Sequence, residues 1–280
     1  MMITDFELNI FRNVLRAARQ YPSVYNIQMA VTACLYNLCH GDLAVKLHPH
    51  ILRDVVNTDL DAMETFHQHQ QLQKNILLTI CCDRIINDVN FDRFRCAKLA
   101  LKCLGEWQDN SMNKMSVAIC SMLGNCTNIF LNLRLVELLF RIFFFLFNLH
   151  FFVSNYWVIF FSAARITTAQ TSELGSHIAY MQKLLAIVRT KKQERSIDVT
   201  LKYTLSALWN LTDESPMTCQ VFLVEGGMDL FIEVLDTFPG DKCIETKVLG
   251  LLNNIAEVPH LRSNLLKDQF LANLRYVILF

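Results

Sequence analysis

At 280 residues with 52% hydrophobic side chains, the chain can form one elongated domain or two compact ones, and it has ample apolar surface for a core. Lys plus Arg and Asp plus Glu both number 26, so the formal charge is zero, which argues against a polyanion such as nucleic acid as the main partner. Ten cysteines lack regular spacing, and most (Cys34, Cys81, Cys82, Cys96, Cys103, Cys120) sit inside apolar helical patterns. There a reduced thiol packs as a small hydrophobe, which points to an intracellular, cytoplasmic or nuclear setting.

Only 8 glycines and 5 prolines interrupt apolar residues recurring at three-and-four spacing, the signature of an all-α chain. The N-terminus, Met-Met-Ile-Thr-Asp-Phe-Glu-Leu, carries acids where a secretion signal needs a basic region and an apolar core. Tyr21-Pro22 then precedes Asn37 by the same 15 residues that separate Pro239 of Phe238-Pro239 from Asn254. Between them Ile27, Val31 and Leu35 match Ile244, Val248 and Leu252. Steps of 44 from Asn37 reach Cys81 and then the end of the apolar stretch Met115–Asn125. A period near 44 predicts an armadillo/HEAT-like superhelix of two or three helices per repeat, with a concave face. His40 and Arg84 close the first two repeats with cations, as a helix C-terminus prefers.

The count then slips, because Asn125 and Asn210 are 85 residues apart, one period plus 41. The surplus falls on 123–162, where the 20 residues 142–161 hold no Asp, Glu, Lys or Arg and 14 of them are Ile, Leu, Phe or Val. That length and polarity suit a membrane span. A span would place the two halves of one stack on opposite sides of a bilayer and expose both cut faces, so the expectation is an anomalous hydrophobic insertion. The expected organisation is thus repeats over 1–122, the Phe-rich insertion over 123–162, and further repeats over 163–280. The basic run Arg189–Arg195 reads as a solvated loop between repeats.

Leu205–Pro216 and Leu249–Pro259 repeat one pattern, Asn-x-x-acid before a proline, giving Asn210 with Asp213 and Asn254 with Glu257. Residues three apart share a helix face, so stacking would merge the two pairs into one site. A carboxylate at a helix C-terminus costs roughly 0.3–1 kcal/mol, so stability alone would not select these acids; they read either as two solvated acids at helix ends or, more sharply, as holders of a trapped cation.

Ser206–Pro216, Lys247–Val258 and Val89-Asn-Phe-Asp-Arg-Phe94 together resemble the armadillo-like region of the Zyg-eleven/Zer-one family, over most of residues 5–122 and 163–275. The resemblance implies a substrate receptor of a cullin-two RING ubiquitin ligase that recognises an exposed N-terminal glycine or other small N-terminal residue. It places the binding pocket on Trp209, Asn210, Asp213, Asn254 and Glu257. It also implies that a leucine-rich region and the cullin- and elongin-binding boxes would lie before Met1, with more repeats after Phe280. Ligase assembly would then depend on regions outside this chain.

The residues suit that role physically. A peptide α-ammonium has three donors; Asp213 and Glu257 can accept two, and Asn254 or Asn210 can take the third or hold the peptide backbone. Trp209 offers an apolar wall that leaves little room for a first side chain. His48-Pro-His50, His67-Gln-His69, Cys39-His40 and Cys81-Cys82 match no closed zinc spacing, and neither metal nor cofactor is expected. No phosphate loop, nucleophile elbow or metalloprotease motif occurs, and Cys219 and Cys243 have no neighbouring histidine in sequence, so the chain reads as noncatalytic. The competing readings are a generic helical scaffold and, if 142–161 span a bilayer, a membrane-anchored adaptor.

Overall fold

The structure, a computed structural model, describes residues 5–40, 42–123 and 166–265. Among these, regular structure is entirely helical: α1 (Asp5–Gln20), α2 (Tyr25–Leu38), α3 (Asp42–Lys46), α4 (Pro49–Thr65), α5 (Gln70–Ile80), α6 (Asp83–Asp88), α7 (Arg93–Glu106) and α8 (Asn110–Leu123). After the gap come α9 (Thr168–Gly175), α10 (Ile178–Gln193), α11 (Val199–Thr212), α12 (Pro216–Val224), α13 (Gly227–Thr237) and α14 (Lys242–Glu257), then a 3-10 turn, Pro259–Leu265. The all-α expectation therefore holds.

The contacts sort these helices into two ladders. In one, α2, α5, α8, α11 and α14 pack each on the next; in the other, α1, α4, α7, α10 and α13 do the same. The short helices α3, α6, α9 and α12 each open a repeat, so the unit is one short helix and two long ones, the three-helix form of the expected superhelix.

Local sequence marks the entries. Asp92, Asp198 and Asp241 each accept a hydrogen bond from the backbone N–H three residues on, at 2.9–3.0 Å, capping α7, α11 and α14. Thr167 and Gln170 form a reciprocal capping box on α9. Ser215 precedes Pro216 at the start of α12, where a proline costs no hydrogen bond.

A buried amide displays the repeat most directly. Gln28 Nε2 donates to the carbonyls of Ala18 and Tyr21, and Gln73 Nε2 donates to those of Met63 and Phe66, ten and seven residues back in both cases. Glu245, in the same register, accepts from Gly240 N at 3.0 Å. Each ties the third helix of its repeat to the turn before it. Gln28 and Gln73 are 45 apart, so the first step is one residue longer than the counted 44, and Cys82 rather than Cys81 stands in register with Asn37.

The stack runs directly from α8 to α11. Asn210 Nδ2 donates to Ser121 O just as Asn254 Nδ2 donates to Trp209 O, which puts Met122 in the register of Asn210. Counting had used Asn125, which lies outside the described residues. Two or three residues join a third helix to the next short helix elsewhere, whereas 44 separate Leu123 from Thr168. The expected insertion, with its apolar run 142–161, lies outside the described residues except for Leu123, which closes α8. Among the described residues no helix is long and apolar enough to cross a membrane.

Two surface expectations change. The basic run from Arg189 is helical through Gln193 and lies within a repeat, at the α10–α11 turn. There Lys191 bonds to Glu194 at 2.8 Å and Asp198 at 3.1 Å, and its charge also suits the helix C-terminus. Arg84 belongs to α6 instead of ending α5, and its guanidinium donates at 2.7 Å to the carbonyls of Val45 and Leu47. A cation does satisfy a C-terminus, but that of the preceding repeat's short helix α3.

Candidate functional site

The expected site lies where the C-terminal turns of α11 and α14 meet. Trp209 is 8% exposed and lies across the α11–α14 interface. Its ring fills the space where a side chain at 250 would project: a Cβ on Gly250 would stand 2.3 Å from Trp209 Cε2. A mid-helix glycine costs about 1 kcal/mol relative to alanine, and here it is required because it lets the indole settle between helices. Val-Leu-Gly-Leu-Leu was a readable hint that something approaches α14 closely.

The asparagines are structural donors. Asn254 Nδ2 donates at 3.0 Å to both Trp209 O and Thr212 Oγ1, and Thr212 Oγ1 itself donates to Leu208 O and Trp209 O. Trp209 O belongs to the last turn of α11, where carbonyls lack a backbone partner in their own helix. Asn210 Nδ2 serves the last turn of α8 in the same way, reaching Ser121 O at 3.0 Å. Each asparagine thus ties the end of the preceding third helix to its own.

The acids occupy different stations. Asp213 is half-buried and lies beyond the helix as the C-cap of α11, with extended backbone (φ −63°, ψ 125°) rather than on the helical face expected. Glu214 follows in the left-handed region (φ 50°) and turns the chain toward Ser215 and α12. Glu257 is the last residue of α14 and is exposed. Its Oε1 accepts from Asn253 Nδ2 at 2.9 Å, one residue from the expected partner Asn254.

A buried thiol meets the end of α11. Cys219 lies fully buried in α12 and its Sγ donates to Thr212 O at 3.4 Å. Burial pushes the thiol up to about 12, and the negative charges of Asp213 and Glu257 add to the rise. Arg262 answers the C-terminal dipole of α14, with Nε 2.6 Å from Ala256 O. Part of the cation demand inferred from the acids is met by the chain itself.

Trp209 and Asn254 thus meet in the α11–α14 interface and Asp213 and Glu257 end these two helices, while the amide of Asn210 faces α8. Sequence reasoning missed Gly250, Thr212, Asn253 and Arg262, and it weighed Cys219 only as a nucleophile. The histidine pairs have local duties: His48 caps α4 by accepting from His50 N, and His69 stacks on Tyr25 with ring centroids 4.1 Å apart. Among the described residues no three His, Cys, Asp or Glu side chains gather as a metal site.

The family model described as Protein zer-1 homolog-like, C-terminal domain, matches residues 16–129 and 128–278. The Protein zer-1 homolog of Homo sapiens is 26% identical over 266 residues, covering 95% of this chain and 29% of that protein. Zyg eleven-related protein 1 of Caenorhabditis elegans is 26% identical over 92% of this chain and 24% of its own length. The Protein zer-1 homolog of Drosophila melanogaster is 22% identical over 92% and 28%. The chain spans less than a third of the length of these relatives.

Proposed function

We propose, on the premise that the chain belongs to the Protein zer-1 homolog-like, C-terminal domain family, that it is the substrate-recognition part of a ubiquitin-ligase receptor. It binds the free N-terminus of proteins that begin with glycine or another small residue, and it is itself noncatalytic. Cullin-two and elongin contacts belong to regions outside this chain. The observation that supports the reading is the tie between the ends of successive third helices, Asn254 Nδ2 to Trp209 O and Thr212 Oγ1, with Asp213 as the C-cap of one helix and Glu257 as the last residue of the other.

An ammonium ion suits two such carboxylates because it relieves their mutual repulsion and offers three donors to divide between them. Trp209, locked against Gly250, is a rigid apolar wall for the first residue, and a wall that cannot retreat favours glycine by exclusion. Asn254 acts on the pocket through the backbone it holds, by fixing the last turn of α11 and with it the departure of Asp213. A plain scaffold role accounts equally well for Asn210 and Asn254, whose amides serve the stack.

Calorimetric titration with a free N-terminal glycine peptide and its N-acetylated form tests this. Acetylation removes the cation and should abolish binding, and Asp213→Asn should weaken it by about 2–5 kcal/mol, the usual result of truncating a desolvated charge pair. Equal affinity for the two peptides rejects the pocket.

A further inference from the structure

Glu257 has a positional difficulty that the pocket must solve. It ends α14, is exposed, and carries its carboxylate on three rotatable bonds at the negative end of a helix dipole. Left alone, such a side chain samples many rotamers, and ordering it on binding costs about 0.5–1.5 kcal/mol. The structure supplies a tether one turn earlier, the 2.9 Å bond from Asn253 Nδ2 to Glu257 Oε1.

A further observation singles out Asn253. Its neighbour Asn254 directs its amide at Trp209 O and Thr212 Oγ1, so of the paired asparagines Asn253 is the one whose amide reaches Glu257.

We propose that Asn253 is a positioning residue for the Glu257 carboxylate in ammonium recognition; this rests on the function proposed above. It need not touch the peptide. Its donor holds one carboxylate oxygen and so sets the direction of the group toward the first residue of the ligand.

The test titrates the full 280-residue chain, Asn253→Ala, Asn253→Gln, Glu257→Gln and the Asn253→Ala/Glu257→Gln double variant with a free N-terminal glycine peptide, alongside thermal melts. Asn253→Ala should lose about five- to tenfold in affinity with an unchanged melting temperature. Asn253→Gln, which keeps the donor, should recover part of that loss, and the double variant should bind as Glu257→Gln does. If the unaltered chain binds but Asn253→Ala binds equally well, or weakens as much in the Glu257→Gln background as alone, the positioning role is wrong and the pocket stands. Failure of the unaltered chain to bind overturns both.

Discussion

Asp59, in the middle of α4, is fully buried, and neither of its oxygens has a hydrogen-bond partner. Desolvation holds its carboxyl well above the ordinary carboxylate range. The native state therefore keeps a proton that the unfolded chain releases once the pH exceeds about 3.9. Since the folded form binds more protons, stability must fall as pH rises through that window, by about 1.4 kcal/mol per unit while the native acid stays protonated. If the native acid stays protonated throughout, the ceiling on this loss between pH 5 and pH 7 is about 2.7 kcal/mol. Asp59→Asn keeps the shape and removes the titration. Urea denaturation of both proteins across pH 5–7 should show the variant gaining on the parent as pH rises, by up to that ceiling. Subtracting the two curves cancels every other titrating group, so a flat difference would refute a neutral, unpartnered Asp59. Burial also raises Cys39, with Asp59 adding to it, but a thiol in its neutral form does not titrate in this range.

Two packing predictions accompany it. Gly250→Ala should destabilise by about 1–3 kcal/mol in denaturant unfolding, because its Cβ would fall 2.3 Å from the Trp209 ring, and Trp209→Leu in the same chain should recover part of the loss. Additive losses would mean that the two residues do not meet. Gln73→Leu should cost about 1–3 kcal/mol by leaving the Met63 and Phe66 carbonyls without their donor, and loss of less than half a kcal/mol would rule out that link as a stabilising contact.

Much of the fold is legible in the chain because repetition is a local property. Equal spacing from Pro22 to Asn37 and from Pro239 to Asn254 is enough to superimpose repeats, and the three-and-four apolar pattern makes them helical. The residues of the candidate site were legible for the same reason: Asn210 and Asp213 recur one period on as Asn254 and Glu257. Their tasks were not. Asn-x-x-acid reads as a pair sharing a face, yet Asn254 bonds to α11 and the amide that meets Glu257 is that of Asn253. The i,i+3 rule presumes an uninterrupted helix on both sides of the pair, and it cannot foresee which donor the neighbouring helix will claim.

What the sequence determines by itself is the unit: its length, its helicity, its caps at Asp92, Asp198 and Asp241, and the unusual acids before Pro216 and Pro259. What only the tertiary structure decides is how units meet. The indole of Trp209 in the place of a side chain at 250, Arg84 serving the carbonyls of Val45 and Leu47, and Asn254 serving the last turn of α11 are relations between different repeats. Neighbours along a helix follow from its periodicity. Partners across a stack depend on how closely two faces approach, which is set by side-chain volumes at many positions at once.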